Sequence, residues 1–264
     1  SLHELTSDID AQLRAAFPGA RIAFDNDTKL AALAEIEHGS VGADETAVLL
    51  RIGNRISAAS IVDGRVARGA HGAAGEIGAL GRVAWPEAQQ RLAERAPDGL
   101  EQLFTASAAP RTESADAVTG FAADIADGLG ALVLAIDPHV VVVSSSIPGA
   151  SARLAAALGS ELAGRSLFLP DVRTSALGAI APSVGALAVS AALIEHTSRH
   201  HMPSASTSAQ PGRGKSIVCA IASEARTEPV VSTRTPFVLP VPMSIPSSKF
   251  TLQPYVEHTA TRDR

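Results

Sequence analysis

The chain has 264 residues, of which 46% are hydrophobic and 3% aromatic, and its 22 basic against 27 acidic residues give a net charge of −5. This length is enough for one large or two modest domains with a buried core. The negative charge gives no general attraction for nucleic acid phosphates or anionic lipid. The single cysteine, Cys219, excludes an internal disulfide and a zinc site built from several thiolates. Since no apolar run is long enough for a membrane span, we expect a cytoplasmic protein without a membrane partner.

The predicted elements begin with a helix over Asp27–His38, which has Asn26 or Asp27 as its N-cap and ends before Gly39. β-Branched and apolar runs then predict three antiparallel strands, the last two joined by an Asp-Gly hairpin turn. These strands are Thr46–Ile52, Ile56–Val62 and Val66–Arg68.

The second half of the chain alternates helices with two further strands. Helices are predicted at Glu87–Arg95, Leu100–Ala108, Asp116–Ile136, Ser151–Leu162 and Ile180–Ile194, and strands at His139–Val143 and Asp171–Ser175. The order β-β-β-α-β-α-β-α predicts an α/β fold of the ribonuclease H-like type, a mixed sheet with helices on both faces. Ligands of such sheets bind at the carboxyl ends of the strands, here the turns after residues 52, 62 and 143.

The composition changes near residue 198. Eight of the 16 prolines lie beyond it, together with both methionines, the only tyrosine and the only cysteine. No helical or alternating period persists there, and the prolines remove donors from any helix or inner strand. We therefore expect residues 198–264 to form a low-complexity, largely unstructured tail.

Two segments resemble the ROK family of repressors, uncharacterised frames and sugar kinases. Ala23–Glu35 (AFDNDTKLAALAE) is similar to the family's ENDANAAALGE segment, and Val62–Leu80 (VDGRVARGAHGAAGEIGAL) to its DGxLxxGxxGxAGEIGH segment. The resemblance implies a two-lobed fold of the actin-like ATPase superfamily with a sugar site between the lobes. It also implies an N-terminally truncated member whose first lobe is largely missing. Residues 1–44 would then be its remnant with the interlobe helix, and residues 45–197 the second lobe.

The resemblance assigns roles to three residues. Asp27 matches the family's catalytic base, which takes a proton from a sugar hydroxyl, although the same residue suits the helix cap. Asn26 can donate and accept toward a hydroxyl pair, or it is an ordinary turn residue. Glu76 matches the glutamate that accepts hydrogen bonds from sugar hydroxyls, or it is an exposed residue of a flexible glycine loop.

The sequence departs from the family at its metal and phosphate motifs. Ala79 stands where the family usually has a histidine, and the cysteine motif that follows is replaced by GRVAWPEAQQRLAE, so zinc is not expected. The family's phosphate turn GTGIG is replaced by GNRIS, which leaves Gly53, Asn54 and Arg55 as its remnant. Ser144–Ser146 replace the glycine turn for the nucleotide. ATP and magnesium are therefore expected only if the chain is a kinase.

We interpret the chain as the sugar-sensing portion of a ROK-type transcriptional regulator that lacks its DNA-binding domain. Its expected partner is a small-molecule sugar, a homodimer is compatible with the sequence, and no basic face predicts DNA binding by this chain alone. One alternative is an ATP-dependent hexose kinase with Asp27 as its base, and another is a non-functional truncated remnant. The sequence does not name the sugar, the DNA operator or the oligomeric state.

Overall fold

A computed structural model describes residues 10–18, 21–53, 55–96, 100–105, 112–200 and 217–222. Its central feature is a five-stranded mixed sheet in the order β4-β3-β2-β5-β6. β2, β3 and β4 form an antiparallel meander, whereas β5 and β6 run parallel to β2. This topology confirms the predicted ribonuclease H-like fold. The five strands are β2 (Ala47–Ile52), β3 (Ile56–Val62), β4 (Arg65–Val66), β5 (Val140–Ser145) and β6 (Asp171–Thr174).

Helices flank this sheet, and two further strands, β1 and β7, pair in parallel outside it. Numbered in chain order, the helices are α1 (residues 10–16 of the described part), α2 (Asp27–His38), α3 (Trp85–Glu94), α4 (Leu100–Thr105), α5 (Thr112–Ile136), α6 (Ala150–Leu162) and α7 (Ala181–His200). β1 is Arg21–Asn26 and β7 is Ile217–Ala222.

The central strands are buried on both faces, because successive side chains of a strand point to opposite sides. On β2, Val48 and Leu50 belong to a cluster with α3, α5 and α6. Ala47 and Leu49 belong to a second cluster that contains residues of α2 and α7. The sheet therefore separates two apolar layers, and the layer of α2 and α7 orients the start of α2.

One helix among the described residues, Ala115–Ile136, is long and apolar enough to cross a membrane. Its Phe121, Ile125 and Leu129 have no exposed surface, because they pack in the layer beneath the sheet. This burial is typical of a core helix.

α2 lies unusually close to α7. A Cβ atom at Gly185 would be 1.9 Å from the carbonyl oxygen of Leu30, so only glycine allows this approach. At the other end of α2, the carboxylate of Glu35 has no exposed surface and accepts hydrogen bonds from the Ser40 amide at 2.9 Å and from the hydroxyl of Ser175. α2 is thus fixed to the second half of the chain at both its middle and its end.

The sequence-based boundaries agree with most elements. The structure has the helix predicted at Asp27–His38 and the strand predicted at Ile56–Val62 with the same limits. The short strand predicted at Val66–Arg68 instead occupies Arg65–Val66, because the hairpin pairs Arg65 directly with Val62. Residues 106–108 of the helix predicted at Leu100–Ala108 lie outside the described residues.

The expectation of an unstructured tail is wrong for Ile217–Ala222. This apolar, partly β-branched run pairs in parallel with β1 in a register from Arg21 opposite Ile217 to Asn26 opposite Ala222. α7 also continues to His200, beyond the predicted end at Ile194. The rest of the tail lies outside the described residues, and the division of the chain at residues 44 and 197 stays a prediction.

We predict that a chain ending at residue 200 keeps the five-stranded sheet but loses protection of β1. Without β7, the backbone amides of residues 21–26 lose their strand partner and should exchange with solvent at least about tenfold faster. Amides of β2 and β5 should be unchanged. Hydrogen exchange measures this, with a chain ending at residue 222 as the control. Unfolding of β2 and β5 in the shorter chain would contradict it.

An ion pair that anchors the edge strand β6 should make stability depend on pH. Arg173 donates to Glu45 Oε2 at 2.8 Å and to Oε1 at 3.0 Å, and this bond, with a further one from the Gly42 amide, lowers the pKa of Glu45. A lowered pKa means that the contribution is present above the unfolded-state pKa and is lost as pH falls through the folded-state pKa. Glu45→Gln should lower the free energy of unfolding by about 0.5–1 kcal/mol at pH 7. Urea titrations should show this difference decreasing as pH falls below the unfolded-state pKa of about 4.3 and vanishing once Glu45 is protonated in the folded state; a difference that does not decrease in acid would contradict the assignment.

Candidate functional site

The first turn of α2 begins at Asn26, whose side-chain Oδ1 accepts hydrogen bonds from the amides of Thr28 at 2.9 Å and Lys29 at 3.1 Å. Asn26 is therefore the N-cap, and Asp27 is the first residue of the helix. The amide group of the same side chain donates to Glu76 Oε1 at 3.2 Å. Two residues that are 50 positions apart in the sequence thus meet at the helix start, and the binding roles predicted for Asn26, Asp27 and Glu76 stay predictions.

The glycine loop before Glu76 makes this meeting possible. Gly69, Gly72 and Gly75 all have positive φ, which side chains with a Cβ atom rarely adopt. A Cβ atom at Gly75 would also lie 2.7 Å from the carbonyl oxygen of Ala58. The loop therefore passes closely over β3 and brings the carboxylate of Glu76 to the N-terminus of α2.

Asp27 forms an ion pair with Arg51, near the carboxyl end of the central strand β2. Its Oδ2 accepts from Arg51 Nη1 at 2.5 Å, and both side chains are about one fifth exposed. Its Oδ1 accepts from the Thr28 hydroxyl at 3.2 Å, and that hydroxyl lies 2.7 Å from the Ser57 hydroxyl. The carboxylate of Asp27 is held between a helix and two strands.

Two further basic side chains, Lys29 and Arg68, form ion pairs with acidic residues near the start of α2. The ammonium group of Lys29 donates to the carbonyl of Gly72 and lies 3.7 Å from Glu76 Oε1, with only 2% of its side chain exposed. Arg68 donates to Asp25 Oδ1 at 2.6 Å. These pairs compensate carboxylates that would be costly to bury alone.

A cavity of about 920 Å³, a size typical of small-molecule sites, is lined by Asn26, Asp27 and Glu76 but not by Asp25, Lys29 or Arg68. It extends from the start of α2 to the turns after β2 and β5, as expected for ligands at the carboxyl ends of strands. It brings together Asn26, Asp27 and Glu76 with Gly53 and Arg55, whereas Asn54 lies outside the described residues. Its other polar lining side chains are Thr28, Arg51, Ser57, Gln89, Gln90 and Ser146.

The turn after β2 is closed by its own hydrogen bonds. The Gly53 amide donates to the carbonyl of Arg55 at 3.0 Å, and the Gly53 carbonyl accepts from the Gln89 side chain. A Cβ atom at Gly53 would be 2.7 Å from Ser146 Oγ, so this side chain already occupies the space beside the glycine. The Gly53 amide is therefore used within the turn itself.

The turn after β5 is closed in the same way. The Ser145 amide donates to the Ser151 hydroxyl and the Ile147 amide to the Ser145 hydroxyl, both at 3.1 Å. The Ser146 amide donates to the carbonyl of Ile52 at 3.3 Å. Three successive backbone donors are therefore used by this chain itself.

Among the residues that the structure describes, no three or more His, Cys, Asp or Glu side chains form a group placed to hold a metal ion. The cavity-lining acids Asp27 and Glu76 instead contact basic side chains. The donor set of this site is suited to hydroxyl groups, which both accept and donate hydrogen bonds.

Sequence reasoning missed Lys29 and Arg51. Each is a charged residue within an otherwise apolar pattern, beside Leu30 in α2 and Leu50 in β2. A charge at a position that the periodicity predicts to be buried indicates a specific partner. The signal was present, but the identity of the partner depends on contacts across the fold.

The ROK family model matches residues 3–89, which include α2, the meander and the glycine loop. No curated protein matches the chain. Solved structures are similar in fold. A ROK family transcriptional regulator described as a homologue of the E. coli MLC protein has 20% identity and a TM-score of 0.51, with 61% of this chain and 50% of that chain covered.

Two sugar kinases are also among the similar structures. The Lmo2764 protein of Listeria monocytogenes, a putative N-acetylmannosamine kinase, has 23% identity and a TM-score of 0.52, covering 66% of this chain and 67% of its own. The ROK hexokinase of Thermus thermophilus has 27% identity and a TM-score of 0.48, covering 61% of this chain and 62% of its own. The chain thus spans between half and about two thirds of the length of these structures.

Proposed function

We propose that the cavity at the start of α2 binds a hexose or a hexose derivative, from the premise that residues 3–89 match the ROK family model. The observation that carries the proposal is the convergence of Asn26, Asp27 and Glu76 on one cavity of about 920 Å³. These are the polar positions at which the sequence keeps the family's sugar motifs. An amide and two carboxylates can accept hydrogen bonds from several sugar hydroxyls, and the amide can also donate.

We further propose that the bound sugar is sensed and not phosphorylated, as in the sugar-sensing portion of a transcriptional regulator. Transfer of a phosphoryl group depends on positioning of the phosphates by backbone donors and cations. The amides of Gly53, Ser145 and Ser146 donate to groups of this chain, which leaves them unavailable to a nucleotide. Arg51 occupies Asp27 Oδ2, the carboxylate that a kinase would need as its base.

The second candidate is the ATP-dependent hexose kinase, favoured by the presence of Asp27 at the family's catalytic position in the cavity. In that case the Arg51–Asp27 pair would have to open before Asp27 accepts a proton. We place the kinase second for this reason, and a remnant without ligand binding third. With the sensor function we also propose a cytoplasmic location and a small-molecule partner. This proposal is compatible with a homodimer and includes no DNA binding by this chain alone.

We predict weak hexose binding, with a dissociation constant in the millimolar range by order of magnitude. Glu76→Ala and Asp27→Ala should each weaken it about ten- to a hundredfold, because charged hydrogen bonds contribute about 1.5–3 kcal/mol each. NMR or calorimetric titration of glucose, mannose and their N-acetylated derivatives measures this.

A matched control is Glu101→Ala, which removes a carboxylate from an exposed position of α4 outside the cavity lining. Binding that survives both Glu76→Ala and Asp27→Ala would place the site elsewhere. Absence of binding at about 50 mM, well above the expected dissociation constant, would favour the remnant.

We also predict that the chain does not transfer phosphate from ATP to these sugars. A coupled assay that detects nucleoside diphosphate measures turnover with magnesium present. Turnover that is lost in Asp27→Ala would overturn the sensor proposal and establish the kinase. Arg51→Met separates the two readings further, since freeing Asp27 should increase the turnover of a kinase and leave a sensor inactive.

A further inference from the structure

The loop that carries Glu76 is exposed at its tip and is held in part by its own backbone hydrogen bonds. Residues 69–73 are all exposed, and the loop's own hydrogen bonds include Gly72 N to Gly69 O at 3.4 Å and Ala74 N to Arg68 O at 3.1 Å. Three positive-φ glycines make many alternative backbone conformations accessible to it. A loop of this kind needs an external anchor to hold one conformation.

Lys29 supplies such an anchor from the interior. Its side chain is 98% buried, although it begins on the rigid first turn of α2 and ends under the exposed tip of the loop. Its ammonium group donates to the Gly72 carbonyl and lies 3.7 Å from Glu76 Oε1. A buried ammonium group is costly unless it is paired, so its position is determined by these two acceptors.

The same Glu76 oxygen also accepts from Asn26, which lies on the same turn of α2. Lys29 and Asn26 therefore hold Glu76 from two sides, one by charge beneath the loop and the other by a neutral hydrogen bond at the cavity. Of Lys29 and Asn26, it is Asn26 that lines the cavity. Lys29 acts on a ligand through the loop and through Glu76.

We infer that Lys29 is a positioning residue that holds the loop 69–76 against α2, so that Glu76 faces the cavity in its ligand-binding orientation. The inference rests on the proposed function, because it assigns Lys29 a role at the proposed hexose site. By linkage, a ligand held by Glu76 stabilises the anchored conformation of the loop, and removal of the anchor lowers the affinity for that ligand.

The first test needs no ligand. In Lys29→Met, which keeps the length and the apolar stem but removes the charge, the amides of Gly72, Ala74 and Glu76 should exchange with solvent at least about tenfold faster. Amides of β2 and β5 should exchange as in the wild type. Lys29→Arg, which restores a cationic donor, should recover most of the loop protection. Arg82→Met is the matched control, since Arg82 is exposed and lies outside the cavity lining.

Unchanged exchange at these three amides in Lys29→Met, or equal loss in Lys29→Arg, would overturn the inference. If Lys29→Met does not fold, Glu76→Ala provides the second arm, because it removes the carboxylate that Lys29 faces without altering the core. Faster exchange at Gly72 and Ala74 in Glu76→Ala supports the anchor, and unchanged exchange there overturns it.

The second test measures the binding of glucose, mannose and their N-acetylated derivatives to the same variants. Lys29→Met should lower the affinity for the sugar that binds most tightly about tenfold, and Arg82→Met should leave this affinity unchanged. If no sugar binds the wild-type chain, the proposed function fails, whereas the exchange measurement still decides the role of Lys29. If a sugar binds equally well to Lys29→Met while the loop opens, the positioning role at the site is refuted.

Discussion

The buried carboxylate of Glu35 is the constraint on which the geometry of the site depends. It has no exposed surface, and it accepts hydrogen bonds from the amide of Ser40, from the hydroxyl of Ser175 and, at 3.4 Å, from the amide of Leu177. A carboxylate in this position is tolerated only because these donors replace its hydration. They fix the end of α2 to the turn between β6 and α7, and the rigid helix transmits that position to Asn26 at its other end.

A second feature of the site is that the acidic residues in and around the cavity form ion pairs with basic residues of other structural elements. Asp27 on α2 pairs with Arg51 on β2, Glu76 on its loop faces Lys29 on α2, and Asp25 on β1 pairs with Arg68. Each pair joins segments that are distant in sequence, so the charges determine how helix, sheet and loop are oriented to one another. The apolar layers supply the stability, while these pairs determine the orientation of the polar groups.

The sequence predicted best those elements whose limits are determined by residues within the element itself. The helix at Asp27–His38 and the strand at Ile56–Val62 have their caps, turns and periodicity within their own segments, and these predict their limits. β1 was missed because its pairing partner β7 lies nearly 200 residues further along the chain. The family motifs indicated Asn26, Asp27 and Glu76, whereas Lys29 and Arg51 acquire their partners only from contacts across the fold.

The two closed turns and the ion-paired acids together define the chemistry that the cavity offers. Backbone amides that bind phosphate must be free of other partners, and at Gly53, Ser145 and Ser146 the amides donate to acceptors of this chain. The polar side chains that line the cavity are carboxylates, amides, hydroxyls and the guanidinium groups of Arg51 and Arg55. Such groups exchange hydrogen bonds with hydroxyls, and their positions are determined by rigid elements and the Lys29 anchor. In this chain, the backbone amides at the ends of β2 and β5 are thus part of its own hydrogen-bonded structure, and the cavity beside them is lined mainly by side chains.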